Sequence, residues 1–147
     1  LEHKSNRVSI PAIFPAISRF FFQKRINMAV LLQNGADEFK LGSLLDVYSR
    51  TLPKSLKTFS IDNQPLKSKY GLTLFPSGNL EHDQADEILV LDPSAITPAD
   101  KRNLPKTPLR NYSFVKDQYP LDFCLEEIEN LYGKKFSNFV KLTLDYN

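Results

Sequence analysis

Apolar residues form several short continuous runs separated by polar turns. Two of these runs, residues 26–32 (INMAVLL) and residues 87–91 (EILVL), are short and strongly apolar. Continuous apolar runs of this length predict strands that are buried on both faces of a sheet. Residues 55–61 (SLKTFSI) predict a third strand, and residues 65–68 and 72–75 predict a small hairpin.

Apolar residues between and after these runs recur at helical spacing. The first stripe consists of Phe39, Leu41, Leu44, Leu45, Val47 and Tyr48. Asp37 or its neighbour is predicted to cap that helix, and Pro53 follows its end. A short helix is predicted from Thr97 to Asn103 with Pro98 at its first position.

Two more helical stripes lie near the end of the chain. The first is predicted for residues 120–132, with Leu121, Cys124, Leu125, Ile128 and Leu131 on one face. Gly133 is expected to end it. The last helix is expected to turn Phe136, Phe139, Val140 and Leu144 inward.

Strands and helices in alternation predict an α/β fold with three layers and a mainly parallel sheet. Residues 104–110 read as a loop interrupted by prolines, and residues 112–115 as a short strand. Residues 1–25 are interpreted as an N-terminal arm, packed on the domain or on another copy, and residues 26–147 as a single domain. The aromatic residues of the arm, which lie beside basic residues, leave contact with a membrane surface as an alternative.

Composition narrows the classes of function. The 147 residues carry a net charge of +2, which is too small to predict nucleic-acid binding. The basic run Lys101, Arg102, Lys106 and Arg110 is interpreted as a solvated loop. A single cysteine excludes an internal disulfide and permits a reducing compartment. Cytoplasmic placement is therefore favoured, with an extracytoplasmic domain beside a membrane as the alternative.

Residues 29–48 (AVLLQNGADEFKLGSLLDVY) combine an apolar strand, a Gly-containing turn, an acidic helix start and a Leu-Asp-Val ending. Residues 59–61, 66–74 (LKSKYGLTL) and 85–91 (ADEILVL) follow in order. This succession resembles the ThiJ/PfpI family of the class I glutamine amidotransferase-like superfamily. The resemblance implies a flavodoxin-like sheet, and for family enzymes it implies a cysteine on a sharp strand-to-helix turn paired with a carboxylate.

The chain departs from that family pattern at the chemical positions. The family's acidic position, five residues after the turn glycine, falls on Lys40. After Leu91 the family continues with a Gly-rich turn, a helix and the strand that carries the cysteine, but no glycine occurs here between Gly78 and Gly133. Part of the family's usual middle is therefore absent, and the domain is interpreted as a shortened, degenerate member. Cys124 is predicted to be a small buried hydrophobe.

These departures favour a non-catalytic interaction or ligand-sensing module, without a cofactor or a metal. His82, with Glu81 and Asp83, is interpreted as part of a solvated turn. The predicted pocket lies at the strand ends after Leu32 and Leu91, and its expected residues are Asn34, Gly35, Lys40 and Asp92. Lys40 could bind a small anion there, although a surface lysine without a ligand is the alternative.

Two partner hypotheses complete the interpretation. Loss of central strands leaves sheet and helix faces to cover, which predicts a homodimer. The alternative function is that of part of a cysteine-dependent amidase or deglycase, completed by another chain or by missing residues.

Overall fold

The computed structural model describes residues 24–145, so nearly all of the predicted N-terminal arm lies outside the described residues. The strands are β1 (Asn27–Leu31), β2 (Ser55–Phe59), β3 (Leu66–Lys67), β4 (Thr73–Leu74), β5 (Glu87–Val90) and β6 (Leu109–Asn111). The helices are α1 (Glu38–Ser49), α2 (Pro98–Asn103), α3 (Pro120–Tyr132) and α4 (Lys134–Thr143), with a 3-10 turn at Pro93–Ala95.

Four strands form a parallel sheet in the order β2-β1-β5-β6. From β1 the chain passes through α1 to β2 on one side, and later from β5 through α2 to β6 on the other. The two connections therefore leave the β1–β5 pair in opposite directions, which is the arrangement of a doubly wound α/β fold. The predicted fold class is confirmed. The strands β3 and β4 pair antiparallel outside this sheet, as predicted.

The two faces of the sheet are covered unequally. On one face, α1, α3 and α4 pack over a large core that includes Met28, Val30 and Leu89. On the other face, the buried side chains of Leu31 and Val90 meet Leu104, which directly follows α2. The alternation of neighbouring strand residues between the two cores explains why these strands are continuous apolar runs.

The predicted helices are present, and their ends follow local signals. The side chain of Asp37 caps α1 by accepting hydrogen bonds from the backbone N–H groups of Phe39 and Lys40. Thr97 and Asp100 form a capping box at the start of α2. Gly133 joins α3 to α4 with φ 85° and ψ 161°, a conformation that is essentially restricted to glycine.

The prediction for Phe39 was wrong, because its side chain is 67% exposed. Leu41 and Leu44 lie on the buried face of α1, and Phe39 precedes Leu41 by two residues. Two residues correspond to roughly 200° of helical rotation, so Phe39 points away from the core. Its ring contacts Tyr70 of the hairpin instead, with 6.3 Å between the ring centroids.

The last strand was also misplaced by the prediction. It covers Leu109–Asn111 rather than residues 112–115, and it begins inside the segment interpreted as a loop. Pairing with β5 decides its position, since Ile88 donates to the carbonyl of Pro108 and Tyr112 donates to that of Val90. Arg110, interpreted as solvated, instead forms a partly buried ion pair with Glu87.

The hairpin of β3 and β4 is fastened to the start of α1. Backbone hydrogen bonds join Gly35 to Lys67 and Lys69 to Ala36, at 2.7 and 2.9 Å. The carboxylate of Glu38 accepts hydrogen bonds from the Ser68 hydroxyl and from the backbone N–H of Tyr70. The hairpin therefore forms one wall of the region at the carboxyl end of β1.

Candidate functional site

A cavity of about 510 Å³ opens at the carboxyl ends of β1 and β5. We call it the switch-point cavity, because it lies where the two connections of the sheet diverge, the usual position of ligand sites in open α/β folds. All four predicted pocket residues line it: Asn34, Gly35, Lys40 and Asp92. The structure thus brings these residues together, and their role in binding a ligand stays a prediction.

A glutamine bridges the two strand ends at the edge of the cavity. The side-chain amide of Gln33, which follows β1, donates to the backbone carbonyl of Asp92 at 2.7 Å. The same side chain accepts a hydrogen bond from the backbone N–H of Asp92 at 3.0 Å. This pair of bonds, the Gln33–Asp92 bridge, fixes the spacing of the loops after β1 and β5.

The turn after β1 is shaped by Gly35 and held by Asn34. Gly35 has φ 77°, in the left-handed region that favours glycine. The side-chain oxygen of Asn34 accepts a hydrogen bond from the backbone N–H of Lys67 at 3.1 Å. Asn34 therefore holds the hairpin through its side-chain oxygen. The same residue, which also carries an amide NH₂ group, lines the cavity.

Lys40 provides a positive charge in the cavity. Its ammonium group lies 5.4 Å from the ring centroid of Phe114, within the range of a cation–π contact. It makes no ion pair with any residue in the 24–145 range. Because cation–π contacts leave much of an ammonium group free to donate, Lys40 can still bind an anion.

The two aspartates that line the cavity already accept hydrogen bonds from other groups of the protein. Asp92 accepts hydrogen bonds from the hydroxyl and the backbone N–H of Ser94, and these bonds lower the pKa of its carboxyl. Burial alone would raise the pKa of Asp37, but its ion pair with Lys69 and its capping bonds outweigh burial and lower it. Both carboxylates are therefore charged and already bonded at neutral pH.

The only cysteine of the chain lies away from this cavity. Cys124 is fully buried within α3, among the core residues that cover the first face of the sheet. Burial, and to a lesser degree the charge of Glu127, raises the pKa of its thiol to about 12. The prediction of a small buried hydrophobe is confirmed. Such a thiol lacks the helix N-terminus and the accessible thiolate that a nucleophile needs.

Next to the cavity, two buried tyrosines share a hydrogen bond between their hydroxyl groups. These are Tyr48 of α1 and Tyr112, which follows β6. Burial raises the pKa of both phenols, so each stays protonated. Tyr112 also lines the cavity and links its wall to the main core.

Sequence reasoning missed several residues that line the cavity. They are Gln33, Lys69, Tyr112, Ser113 and Phe114. A polar residue directly after a buried strand was a usable signal for Gln33. The three residues after β6 carried no such signal, because they had been assigned to a strand.

The strand β6 is parallel to β5 and follows it through a helix. It therefore has the topological position that the resemblance gives to the strand carrying the cysteine. Here that strand ends in Asn111, and a loop separates it from α3, which begins at Pro120. The sharp strand-to-helix turn of the family enzymes does not occur at this place in the chain.

No group of three or more His, Cys, Asp or Glu side chains in the described part of the chain could hold a metal ion. His82 is exposed in a turn beside Asp83, which pairs with Lys57. Within residues 24–145, no helix combines the length and the apolarity needed to cross a bilayer.

Comparison with solved structures identifies the fold. A ThiJ/PfpI family protein from Pseudomonas syringae superposes with a TM-score of 0.64 at 11% identity, over 99% of this chain and 84% of that one. The chain has a ThiJ/PfpI-like fold. DJ-1beta of Drosophila melanogaster gives a TM-score of 0.57 at 15% identity, over 84% of this chain and 100% of that one.

A regulatory protein shares this ThiJ/PfpI-like fold. An AraC family transcriptional regulator from Pseudomonas putida gives a TM-score of 0.54 at 14% identity, over 80% of this chain and 98% of that one. No family model matches the chain, and no curated protein matches it in sequence. The low identities fit a ThiJ/PfpI-like chain whose sequence has diverged strongly.

Proposed function

We propose that this ThiJ/PfpI-like domain is a non-catalytic ligand-sensing module that binds a small anion in the switch-point cavity. The observation that carries the proposal is that the acid and the cysteine which the resemblance places at this site in family enzymes are both missing from it. A lysine stands at the position that the resemblance assigns to the acid, and the only thiol is buried in α3. The cavity thus presents a cation and no nucleophilic sulfur.

The polar groups that line the cavity favour an anion as the ligand. Asp37 and Asp92 each accept hydrogen bonds from other groups of the chain. Lys40 contacts the ring of Phe114 and forms no ion pair within residues 24–145, and its charge contributes to the lowered pKa of Asp92. The side chains of Asn34 and Ser113 add further hydrogen-bonding groups to the lining. A carboxylate or phosphate placed beside Lys40 would gain a charge-assisted hydrogen bond.

The neighbours in structure support a sensing role by analogy. One of them is an AraC family transcriptional regulator, so a ThiJ/PfpI-like fold occurs in a protein of gene regulation. Fold likeness alone does not transfer a function, and the proposal therefore depends on the cavity.

Titration calorimetry with butanoate and with inorganic phosphate tests the proposal. Binding of at least one of them is expected, and Lys40→Met should weaken it about tenfold or more, as expected for a lost bond to a charged group. Lys40→Arg should retain most of the affinity because it keeps the charge. Lys101→Met, which changes an exposed lysine of α2, is the matched control and should bind like the unchanged protein.

Two results would contradict the proposal. One is binding that is equal in the Lys40→Met and Lys101→Met variants. The other is amidase, deglycase or glyoxalase turnover by the purified protein that disappears in Cys124→Ser. The second result would favour the alternative of a cysteine-dependent enzyme.

A further inference from the structure

A second cavity adjoins the switch-point cavity. It has a volume of about 340 Å³ and lies beyond the Gln33–Asp92 bridge. Gln33, Asn34 and Ala95 line both cavities. The bridge is therefore the ridge between two adjoining open pockets.

The walls of the second cavity are largely aliphatic, and we call it the apolar cavity. Ile61, Leu66 and Ile96 line it and are only half-buried, so they leave apolar surface facing its interior. Covering such surface with an apolar group is favourable in proportion to the area removed from water. The apolar cavity thus suits hydrocarbon rather than a second polar group.

Two carboxylates line the apolar cavity, and each accepts a hydrogen bond from the backbone N–H group of a nearby residue. Asp62 accepts a hydrogen bond from the N–H of Gln64 at 3.1 Å, and Asp100 accepts one from the N–H of Thr97 at 2.9 Å. The bonds from Thr97 lower the pKa of Asp100, so this group is charged at neutral pH. Negative charge here would repel a second anionic group of a ligand.

We propose that the ligand is an amphiphilic monocarboxylate. Its carboxylate pairs with Lys40 in the switch-point cavity, and its hydrocarbon body crosses the Gln33–Asp92 bridge into the apolar cavity. The inference rests on the proposed function, because it takes the anion at Lys40 as given. Charge sets the direction of the ligand. In the switch-point cavity, Lys40 and Lys69 balance the negative charges of Asp37 and Asp92. At the apolar cavity, Asp62 and Asp100 form no ion pair within residues 24–145, so negative charge predominates there.

The ridge does not oppose this binding mode. Gln33 already uses its amide oxygen and one amide hydrogen in bonds to the backbone of Asp92. An apolar chain that passes over it therefore breaks no hydrogen bond and buries few unpaired polar groups.

Affinity as a function of chain length tests the inference. Butanoate, hexanoate and octanoate are titrated into the unchanged protein, together with octanedioate and octanol. Affinity should rise about three- to fourfold per methylene once the chain enters the apolar cavity. Octanedioate should bind more weakly than octanoate because its second carboxylate meets Asp62 and Asp100. Octanol should bind more weakly because it lacks the charge.

Variants at the apolar wall separate the two cavities. Ile96→Ser should flatten the dependence on chain length and leave the affinity for butanoate nearly unchanged. Leu80→Ser, which changes a residue on the same face of the sheet that does not line the apolar cavity, should keep the slope. Chemical-shift mapping of the unchanged protein gives an independent readout: octanoate should move the amides of Ile61 and Ile96, and butanoate should not.

The outcomes distinguish the two proposals. Butanoate binding that requires Lys40, with equal affinity for butanoate and octanoate, overturns this inference and leaves the proposed function standing. Octanoate binding that survives Lys40→Met overturns the two-cavity arrangement. Absence of binding by every carboxylate overturns this inference, and phosphate binding then decides the proposed function.

Discussion

At Cys124, burial decides the chemistry of the thiol. The side chain has no exposed surface, and its pKa is raised from an ordinary 9.0 to about 12. A rise of this size leaves about a thousandfold less thiolate at neutral pH than an unperturbed thiol would have. Cys124 also lies beyond the first turn of α3, so the N-terminus of that helix does not lower the pKa of its thiol.

We therefore expect the native protein to resist thiol reagents. Labelling by a disulfide reagent at neutral pH should be at least a hundredfold slower in buffer than in 8 M urea, where the chain is unfolded. Absorbance of the released thiolate measures the rate. Cys124→Ser provides the blank, and rapid labelling in buffer would show that the thiol is accessible.

At the level of the elements, the hairpin depends on carboxylates at the start of α1. Burial alone would raise the pKa of Glu38, but hydrogen bonds from Ser68 and Tyr70 outweigh it and lower the pKa. The ion pair with Lys69 contributes to the lowered pKa of Asp37 in the same region. A carboxyl whose pKa is lower in the folded state stabilises the fold above its unfolded pKa, and this contribution is lost as the pH falls through the folded value.

We call the contacts of Asp37 and Glu38 with the hairpin the hairpin anchor. We expect these contacts to weaken in acid, so that the protein loses stability. The loss should begin near the ordinary pKa values of 4.5 for Glu38 and 3.8 for Asp37, and continue below them. Urea unfolding at pH 7, 4 and 3 measures it. The double variant Asp37→Asn/Glu38→Gln should be less stable at pH 7 and should depend less on pH in this range.

A matched control is available elsewhere in the chain. Asp46, an exposed carboxylate of α1 whose pair with Arg50 lies on the surface, should change the acid response little when replaced by Asn. An acid response of Asp37→Asn/Glu38→Gln equal to that of the unchanged protein would contradict the role of the hairpin anchor.

For the whole molecule, exposed apolar side chains are concentrated near the hairpin. Phe39, Tyr70, Leu72 and Phe75 are each more than half exposed. The rings of Phe39 and Tyr70 are in contact, so exposed apolar side chains of α1 and the hairpin meet at this point. Such surfaces on soluble proteins often mark an interface.

We expect a homodimer that uses this surface. Size-exclusion chromatography with light scattering should give twice the chain mass of 16.8 kDa. Phe39→Ser/Tyr70→Ser should shift the mass towards that of one chain, whereas Val115→Ser, which removes an exposed apolar side chain elsewhere, should not. A single-chain mass for the unchanged protein at high concentration would rule the dimer out.

The sequence alone determined the elements whose signals are local. The buried strands β1 and β5, the caps of α1 and α2, the hairpin and the stop at Gly133 follow from apolar runs, capping residues and turn chemistry within a few positions of each other. The resemblance of residues 29–48, 59–61, 66–74 and 85–91 to the ThiJ/PfpI family predicted the fold, and the strand ends after Leu32 and Leu91 predicted four residues that line the cavity.

Only the tertiary structure decided what completes the cavity. The strand β6 was misplaced because its bounds depend on the edge of β5, so Tyr112 and Phe114 could not be placed beside Lys40 in advance. Phe39 is a different case, because its spacing of two residues from Leu41 already takes it off the buried face of α1, and only its contact with Tyr70 of the hairpin depended on the tertiary structure. The local pattern of apolar and polar residues contains little information about contacts between distant segments. Strands and helix caps, in contrast, depend on residues that are close in sequence.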